Sequence, residues 1–370
     1  MPDFVQSFAP EVLTEIWRDL PRQSKSRLLQ VSRTWQRMAF AIPYLWTEIS
    51  FGPRSMRQDL ILAREWLEHS GTLSLSATIW RPPLGSSDPE LSVQSMLEAI
   101  GPALPRMQEL RINVPEANAN MTTIRDEPTA ADTLVTYPAI FYPLPLPHLL
   151  SLQMSNIPPF FPTVPLGLTE LVLGHQIPQF TPTLIQLKAA LESAPALGRL
   201  GFYHDIPGFD WVNPVDPEIV ISLPSLESLS MCHLPVEALS SILPILDVPN
   251  FSDLTIALDS REIRTNDNVP ILAQLHVPEF ASRLRSLNIQ NLTHTCDPAF
   301  FQPFCNLQHL GLDFSPGSLS QTFWDALASP KTHGPTYLPL LREITLLSIP
   351  PVHAQELVLL RRNAAHFTGA

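Results

Sequence analysis

A chain of 370 residues that is 45% hydrophobic is too apolar to stay disordered, even with forty prolines. Its formal charge of −12 argues against a nucleic-acid groove. The charge is uneven: residues 1–50 hold six Lys or Arg against five Asp or Glu, and the remainder holds 17 against 30. Three cysteines (Cys232, Cys296, Cys305) are an odd number without repeated spacing, so they are no disulfide framework. No basic start leads into an apolar run, as in a signal peptide, and no segment approaches the ~20 apolar residues of a membrane span. The expected location is cytoplasmic or nuclear.

Taken in chain order, Pro10 suits the first turn of a helix and Glu11 suits its positive end. Val12, Leu13, Ile16, Trp17 and Leu20 then form an apolar stripe at helical spacing before Pro21 interrupts. A second stripe follows as Leu28, Val31, Trp35 and Met38, with Arg27, Arg33 and Arg37 on the opposite face. Pro43 ends it and Tyr44-Leu45-Trp46 follow, leading into a strand. Two or three short helices in about 45 residues cannot bury all their apolar surface alone. They must lean on a partner, on the rest of the chain, or on both. Residues 51–103 read as a linking helix and strand segment that caps an array beginning at residue 104.

From residue 107 onward one phrase returns nine times: apolar, two others, apolar, one other, apolar. It runs Met107-Leu110-Ile112, Leu149-Leu152-Met154, Leu168-Leu171-Leu173, Leu197-Leu200-Phe202 and Leu226-Leu229-Met231. It continues as Phe251-Leu254-Ile256, Leu284-Leu287-Ile289, Leu307-Leu310-Leu312 and Leu341-Ile344-Leu346. Successive copies start 42, 19, 29, 29, 25, 33, 23 and 34 residues apart, and Pro stands two residues before six of them. The last two apolar positions share one face of a strand. A strand this short buries that face only by stacking on copies of itself, which predicts an α/β repeat architecture over 104–370. Three copies carry a further apolar residue three after the last (Ile157, Leu234, Leu292). Leu184-Ile185-Leu187-Leu191, Val236-Leu239-Leu243 and Leu319-Phe323-Trp324-Leu327 have helical spacing between copies. Prolines punctuate the turns.

Residues facing away from the core would form an open wall. They are Glu109, Arg111 and Asn113; Ser151, Gln153 and Ser155; Glu170 and Val172; Arg199, Gly201 and Tyr203; and Ser228, Ser230 and Cys232. Asp253 and Thr255; Ser286, Asn288 and Gln290; His309, Gly311 and Asp313; and Glu343 and Thr345 complete it. The candidate binding residues on this wall are Glu109, Arg111, Gln153, Glu170, Arg199, Tyr203, Asn288, His309 and Asp313. Tyr203 and Arg199 lead, because aromatic and Arg side chains tend to carry binding energy. Residues 115–146 and 203–218 read as irregular loops, the second with Phe209 and Trp211. The eleven histidines lack metal-ligand spacing, and no Walker loop or Gly-x-Ser-x-Gly elbow appears. No cofactor and no enzymatic activity are expected. Three lysines (25, 188, 331) against twenty arginines is an oddity that coding bias explains as well as function does.

Two resemblances emerge. Leu-x-x-Leu-x-Leu resembles the opening of a leucine-rich repeat, without the Asn or Cys that usually follows. Phe8-Ala9-Pro10-Glu11-Val12-Leu13, Ile16, then Leu28 through Ala39 with Val31-Ser32-Arg33-Thr34-Trp35, then Pro43-Tyr44-Leu45-Trp46, resembles an F-box over residues 8–48. Phe8-Ala9 stands where that family has Leu-Pro, and Ser32 where Cys is common. With Trp66-Leu67-x-x-Ser70-Gly71, the style is similar to the F-box families of mushroom-forming fungi. The resemblance implies a small N-terminal helical F-box (1–50) followed by an irregular leucine-rich-repeat solenoid with a parallel concave sheet. It implies a substrate-receptor subunit of a Skp–cullin–F-box ubiquitin ligase, non-catalytic, with a protein substrate on the repeats. By matching positions, Phe8, Pro10, Val12, Leu13, Ile16, Leu28, Val31 and Trp35 would build the adaptor-binding unit, about half of them in contact and half in packing. The alternative is an interaction scaffold whose helices merely cap the solenoid.

Overall fold

Alternation of buried and open positions organises most strands of the computed structural model. It describes residues 10–18, 20, 22–52, 56–80, 93–113, 146–155, 166–174, 184–203, 219–234, 239, 242–258, 278–292, 301–314 and 338–347. Phe8, residues 115–145, 204–218 with Phe209 and Trp211, the helix expected over 319–327, Cys296 and the end of the chain lie outside them. The molecule divides into two compact units, 1–168 and 169–370. Both are mixed α/β with parallel strands, few helices and no closure into a barrel.

The first unit begins with helices α1 (Pro10–Arg18), α2 (Arg22–Val31) and α3 (Arg33–Phe40). The stripe Leu28-Val31-Trp35-Met38 is therefore split between two helices. Ser32 causes the break: its backbone is extended and its hydroxyl accepts the Trp35 N–H at 3.2 Å, capping α3. Lys25, buried in α2, reaches Glu48 at 3.3 Å and ties the helices to the first strand. Pro43–Trp46 forms a 3-10 turn. Trp46 is buried there, its indole N–H donating to the Ala39 carbonyl at 2.9 Å. Its ring lies 5.4 Å from Phe40 and 5.6 Å from Trp66.

Strand β1 (Glu48–Phe51), α4 (Met56–His69), β2 (Leu75–Trp80), α5 (Val93–Ile100), β3 (Met107–Asn113) and β4 (Ser151–Ser155) complete this unit. The four strands lie side by side in chain order, all parallel. The apolar phrase thus starts two strands before residue 107. Trp46-x-x-Ile49-x-Phe51 is a full copy, and all three residues are buried. In β2 the copy is one residue short: Leu75 stands opposite Met107, then the register slips and Ser76 stands opposite Glu109. Gly71 ends α4 in the left-handed region at φ 57°, where a side chain is strained. Arg106 covers that helix end, donating to the Leu67 and Leu73 carbonyls and to the Ser70 hydroxyl at 2.9–3.1 Å.

The second unit contains β5 (Glu170–Gly174), α6 (Leu184–Glu192), β6 (Arg199–Tyr203), β7 (Ile221–Ser222) and β8 (Ser228–Leu234). After them come β9 (Leu246–Asp247), β10 (Asp253–Leu258), β11 (Ser286–Leu292), β12 (His309–Phe314) and β13 (Glu343–Leu347). Strands β5, β6, β8, β10, β11, β12 and β13 form one parallel ladder; β7 and β9 pair in a separate ribbon. The register aligns the phrases residue by residue, with Leu171, Leu200, Leu229, Leu254, Leu287, Leu310 and Ile344 in one row. All but Ile344, on the last described strand, are buried, and each such Leu contributes roughly 1.5–3 kcal/mol.

Two devices link one copy to the next. The carbonyl after each leading apolar residue accepts two N–H groups from the following copy: Thr169 from Gly198 and Arg199, Gly198 from Glu227 and Ser228, Glu227 from Ser252 and Asp253. The same pattern continues through Ser252, Arg285 and Gln308. The side chain just before the leading residue also reaches back to a carbonyl of the previous copy. Ser225 donates to Pro195 at 2.7 Å, Asn250 to Pro224 at 2.7 Å and Asn306 to Ser282 at 2.6 Å.

The further apolar residue three positions after the phrase is placed by a break in the ladder. His233 and Asn291 take positive φ (58° and 59°) at places where the ladder slips by one residue. Strict alternation would turn Leu234 outward, but the bulge turns it back into the core, where it is buried.

Candidate functional site

Two kinds of surface hold the candidate residues. On α1, residues four apart share a side of the helix. Leu13 and Trp17 are buried, whereas Val12 and Ile16 are 44% and 53% exposed, and Val31 at the end of α2 is 59% exposed. Trp35 is half-buried, its ring 5.3 Å from that of Trp17. Pro10 opens α1 and Leu28 lies in α2. Leu13 and Trp17 thus face inward, and Val12, Ile16 and Val31 face outward.

The second surface is the open side of the strands. In the first unit its rows are Ser76-Glu109-Ser151, Thr78-Arg111-Gln153 and Trp80-Asn113-Ser155. Glu109 and Arg111 are ion-paired with each other, and Gln153 sits beside Arg111 in its row. Trp80, 41% exposed, is an aromatic on this side that the nine phrases do not mark. Its strand has no leading apolar residue at the right spacing; the alternation Leu75-x-Ala77-x-Ile79 is the available signal.

In the second unit the first row reads Glu170, Arg199, Ser228, Asp253, Ser286, His309, Glu343, one residue per strand. The next reads Val172, Gly201, Ser230, Thr255, Asn288, Gly311, Thr345. Glu170 and Arg199 approach to 4.0 Å, and the His309 ring nitrogen Nδ1 lies 3.1 Å from Glu343. Asp253 accepts the hydroxyl of its neighbour Ser252.

The two glycines explain how Tyr203 and Asn288 lie. A Cβ on Gly201 would sit 2.9 Å from the Tyr203 ring, and one on Gly311 would sit 2.7 Å from the Asn288 side-chain oxygen. Both side chains therefore lie flat across a neighbouring glycine instead of standing up. Burial raises the Tyr203 hydroxyl pKa, with a smaller push from Cys232, against a hydrogen bond with Ser230. Asp313 follows on β12, half-buried.

Cys232 departs from expectation. Its register places it on the open side, opposite Tyr203 and Ala257, yet its side chain is buried. Burial pushes its thiol pKa up, against a backbone hydrogen bond from Ala257, so it is a packing residue and a poor nucleophile at neutral pH.

The structure brings Glu170, Arg199 and Tyr203 onto neighbouring strands at one end of this ladder. Asn288, His309 and Asp313 lie on neighbouring strands toward the other end. Glu109, Arg111 and Gln153 belong to the first unit. Among the described residues, no group of three His, Cys, Asp or Glu is placed to hold a metal ion, and no helix is long and apolar enough to cross a membrane. The chain matches no protein-family model and no curated protein.

Proposed function

We propose that this protein is a substrate-receptor subunit of a Skp–cullin–F-box ubiquitin ligase. Helices α1–α3 form an F-box that binds the Skp adaptor, and the strands form a leucine-rich-repeat-like solenoid that holds a protein substrate. Such a subunit makes and breaks no bond. It raises the effective concentration of substrate beside the ubiquitin-transfer machinery.

The observation that carries the reading is the exposure of Val12, Ile16 and Val31 on short helices whose Leu13 and Trp17 are already buried. A helix that has filled its internal core and still presents β-branched residues to water suits a docking role. Ser32 in place of the family's Cys is compatible with the fold, since its hydroxyl caps α3.

The test is the affinity of the full chain for a purified Skp adaptor, measured beside Ile16→Asp and Val12→Asp. Both positions are exposed, so the variants should melt like the parent. A carboxylate forced into an apolar interface without a partner should weaken adaptor binding by roughly a hundredfold or more. A folded parent that does not bind the adaptor sinks the proposal and leaves an interaction scaffold with a helical cap.

A further inference from the structure

We propose that the open side of the second unit's ladder recognises an extended, basic protein segment, with Glu170, Asp253 and Glu343 each taking a cationic side chain. The identity of that segment as a ligase substrate rests on the receptor reading; the binding itself does not.

Charge is the first argument. Across the seven strands, this side carries four described carboxylates (Glu170, Asp253, Asp313, Glu343) against one guanidinium, Arg199, and one imidazole, His309, which lies 3.1 Å from Glu343 and which a ligand cation there would have to displace. Asp253 has no ion-pair partner among the described residues, and its ladder neighbours are Ser228 and Ser286. Arg199 is 71% exposed and 4.0 Å from Glu170, a distance at which an exposed pair holds its members weakly.

Spacing is the second. Glu170, Asp253 and Glu343 occupy the same row at every third strand of the ladder. Strands stand about 4.8 Å apart, so successive carboxylates are about 14 Å apart, and four residues of extended chain span about the same distance. Side chains four apart in an extended segment also point the same way. Arginine or lysine at every fourth position therefore matches the row.

Shape is the third. Beside Asp253 the surface is built from short residues, with Ser228 and Ser286 flanking it in its row and Ser230 and Thr255 in the next; Arg199 and His309 stand further along the row, beside Glu170 and Glu343. The Tyr203 ring lies across Gly201 at this level, and a half-exposed aromatic ring is a group that attracts a guanidinium. The backbone N–H and C=O groups of the inner strands are spent on the ladder, so the segment cannot join as a further strand there. Recognition must pass through side chains, and the acidic row supplies them.

The test uses the full chain as target for a displayed library of random dodecapeptides. Enriched sequences should carry Arg or Lys at four-residue intervals. A synthetic peptide of an enriched sequence should lose about tenfold or more in affinity on Asp253→Asn and weaken as salt is raised. Glu192→Gln, which removes a carboxylate on α6, should leave that affinity unchanged, and both variants should remain fully folded under the conditions of the binding measurement. The proposal is overturned by a selection that enriches nothing, or enriches peptides without a basic excess. It is equally overturned if Asp253→Asn binds as tightly as the parent, or if Glu192→Gln weakens binding as much. Adaptor binding reads out separately. A chain that binds adaptor but no basic peptide loses only this inference, and one that binds the peptide but no adaptor loses only the receptor reading.

Discussion

In the ladder of the second unit, Leu200, Leu229, Leu254, Leu287 and Leu310 all turn inward. In helices α1 and α2, Leu13 and Trp17 turn inward while Val12, Ile16 and Val31 face water. Both regions carry dense apolar patterns in sequence, so density does not separate them. Periodicity does. A strand has a period of two, and each phrase finds the same phrase on the next strand, so burial is passed along the register. A helix turns 100° per residue, and its apolar stripe is wider than the small neighbours here can cover. The surplus is what a partner can use.

Substitutions that separate inward from outward apolar residues test this contrast most strongly. Leu229→Ala should lower the stability of the folded chain by about 2–5 kcal/mol, because a stacked ladder cannot collapse around the cavity. Val31→Ala, which truncates a β-branched residue at an exposed site, should change it by no more than about 0.5 kcal/mol. Urea unfolding followed by far-UV circular dichroism compares the two, and equal losses would break the contrast.

A smaller effect is expected where the helices are punctuated. Ser32→Ala removes the hydroxyl that caps α3 and should cost about 1 kcal/mol. Ser32→Thr, which keeps an oxygen at that place, should recover most of it in the same unfolding measurement. An alanine variant no less stable than the parent would mean that the break between α2 and α3 has another cause.

The smallest expected effect lies on α6, beside the ribbon. Burial alone would raise the Glu192 carboxyl, but Lys188 and the Ser222 N–H outweigh it and hold the pKa below the ordinary value. A carboxyl lowered in the folded state stabilises it above the unfolded-state pKa of about 4.3 and loses that contribution as pH falls through the lower value. For so exposed a pair the contribution is a few tenths of a kcal/mol. Glu192→Gln should be slightly less stable than the parent at pH 7 and converge on it as acid protonates the parent's carboxyl. A difference that grows toward acid would reverse the sign of this account.

The nine phrases from Met107 to Leu346 make the strands, their parallel stacking and their buried positions readable, because inwardness depends only on local alternation and repetition. A strand after Trp46 and a helix and strand segment over 51–103 are also expected, but that β1 and β2 carry copies of the phrase escapes for particular reasons. The copy at Trp46-Ile49-Phe51 leads with a tryptophan inside a run of helical signals, and the β2 copy is one residue short. Trp80 escapes with its strand. The extra apolar residue at 234 is visible, but its inward turn depends on the left-handed His233, which no spacing rule names. Alternation puts Cys232 on the correct side of its strand and still misses its burial, which belongs to its setting between Tyr203 and Ala257 in the ladder.

Sequence alone therefore determined the repeating pattern: which residues alternate, where helices are punctuated, and the acidic balance of residues 51–370. Only the tertiary structure decided which residues become neighbours. The flat Tyr203 over Gly201, the acidic residues at every third strand, and the division of the α1 stripe into packed and exposed halves all depend on residues distant in the chain. Their positions come from register and neighbour coverage, and neither is a property of a local stretch of sequence.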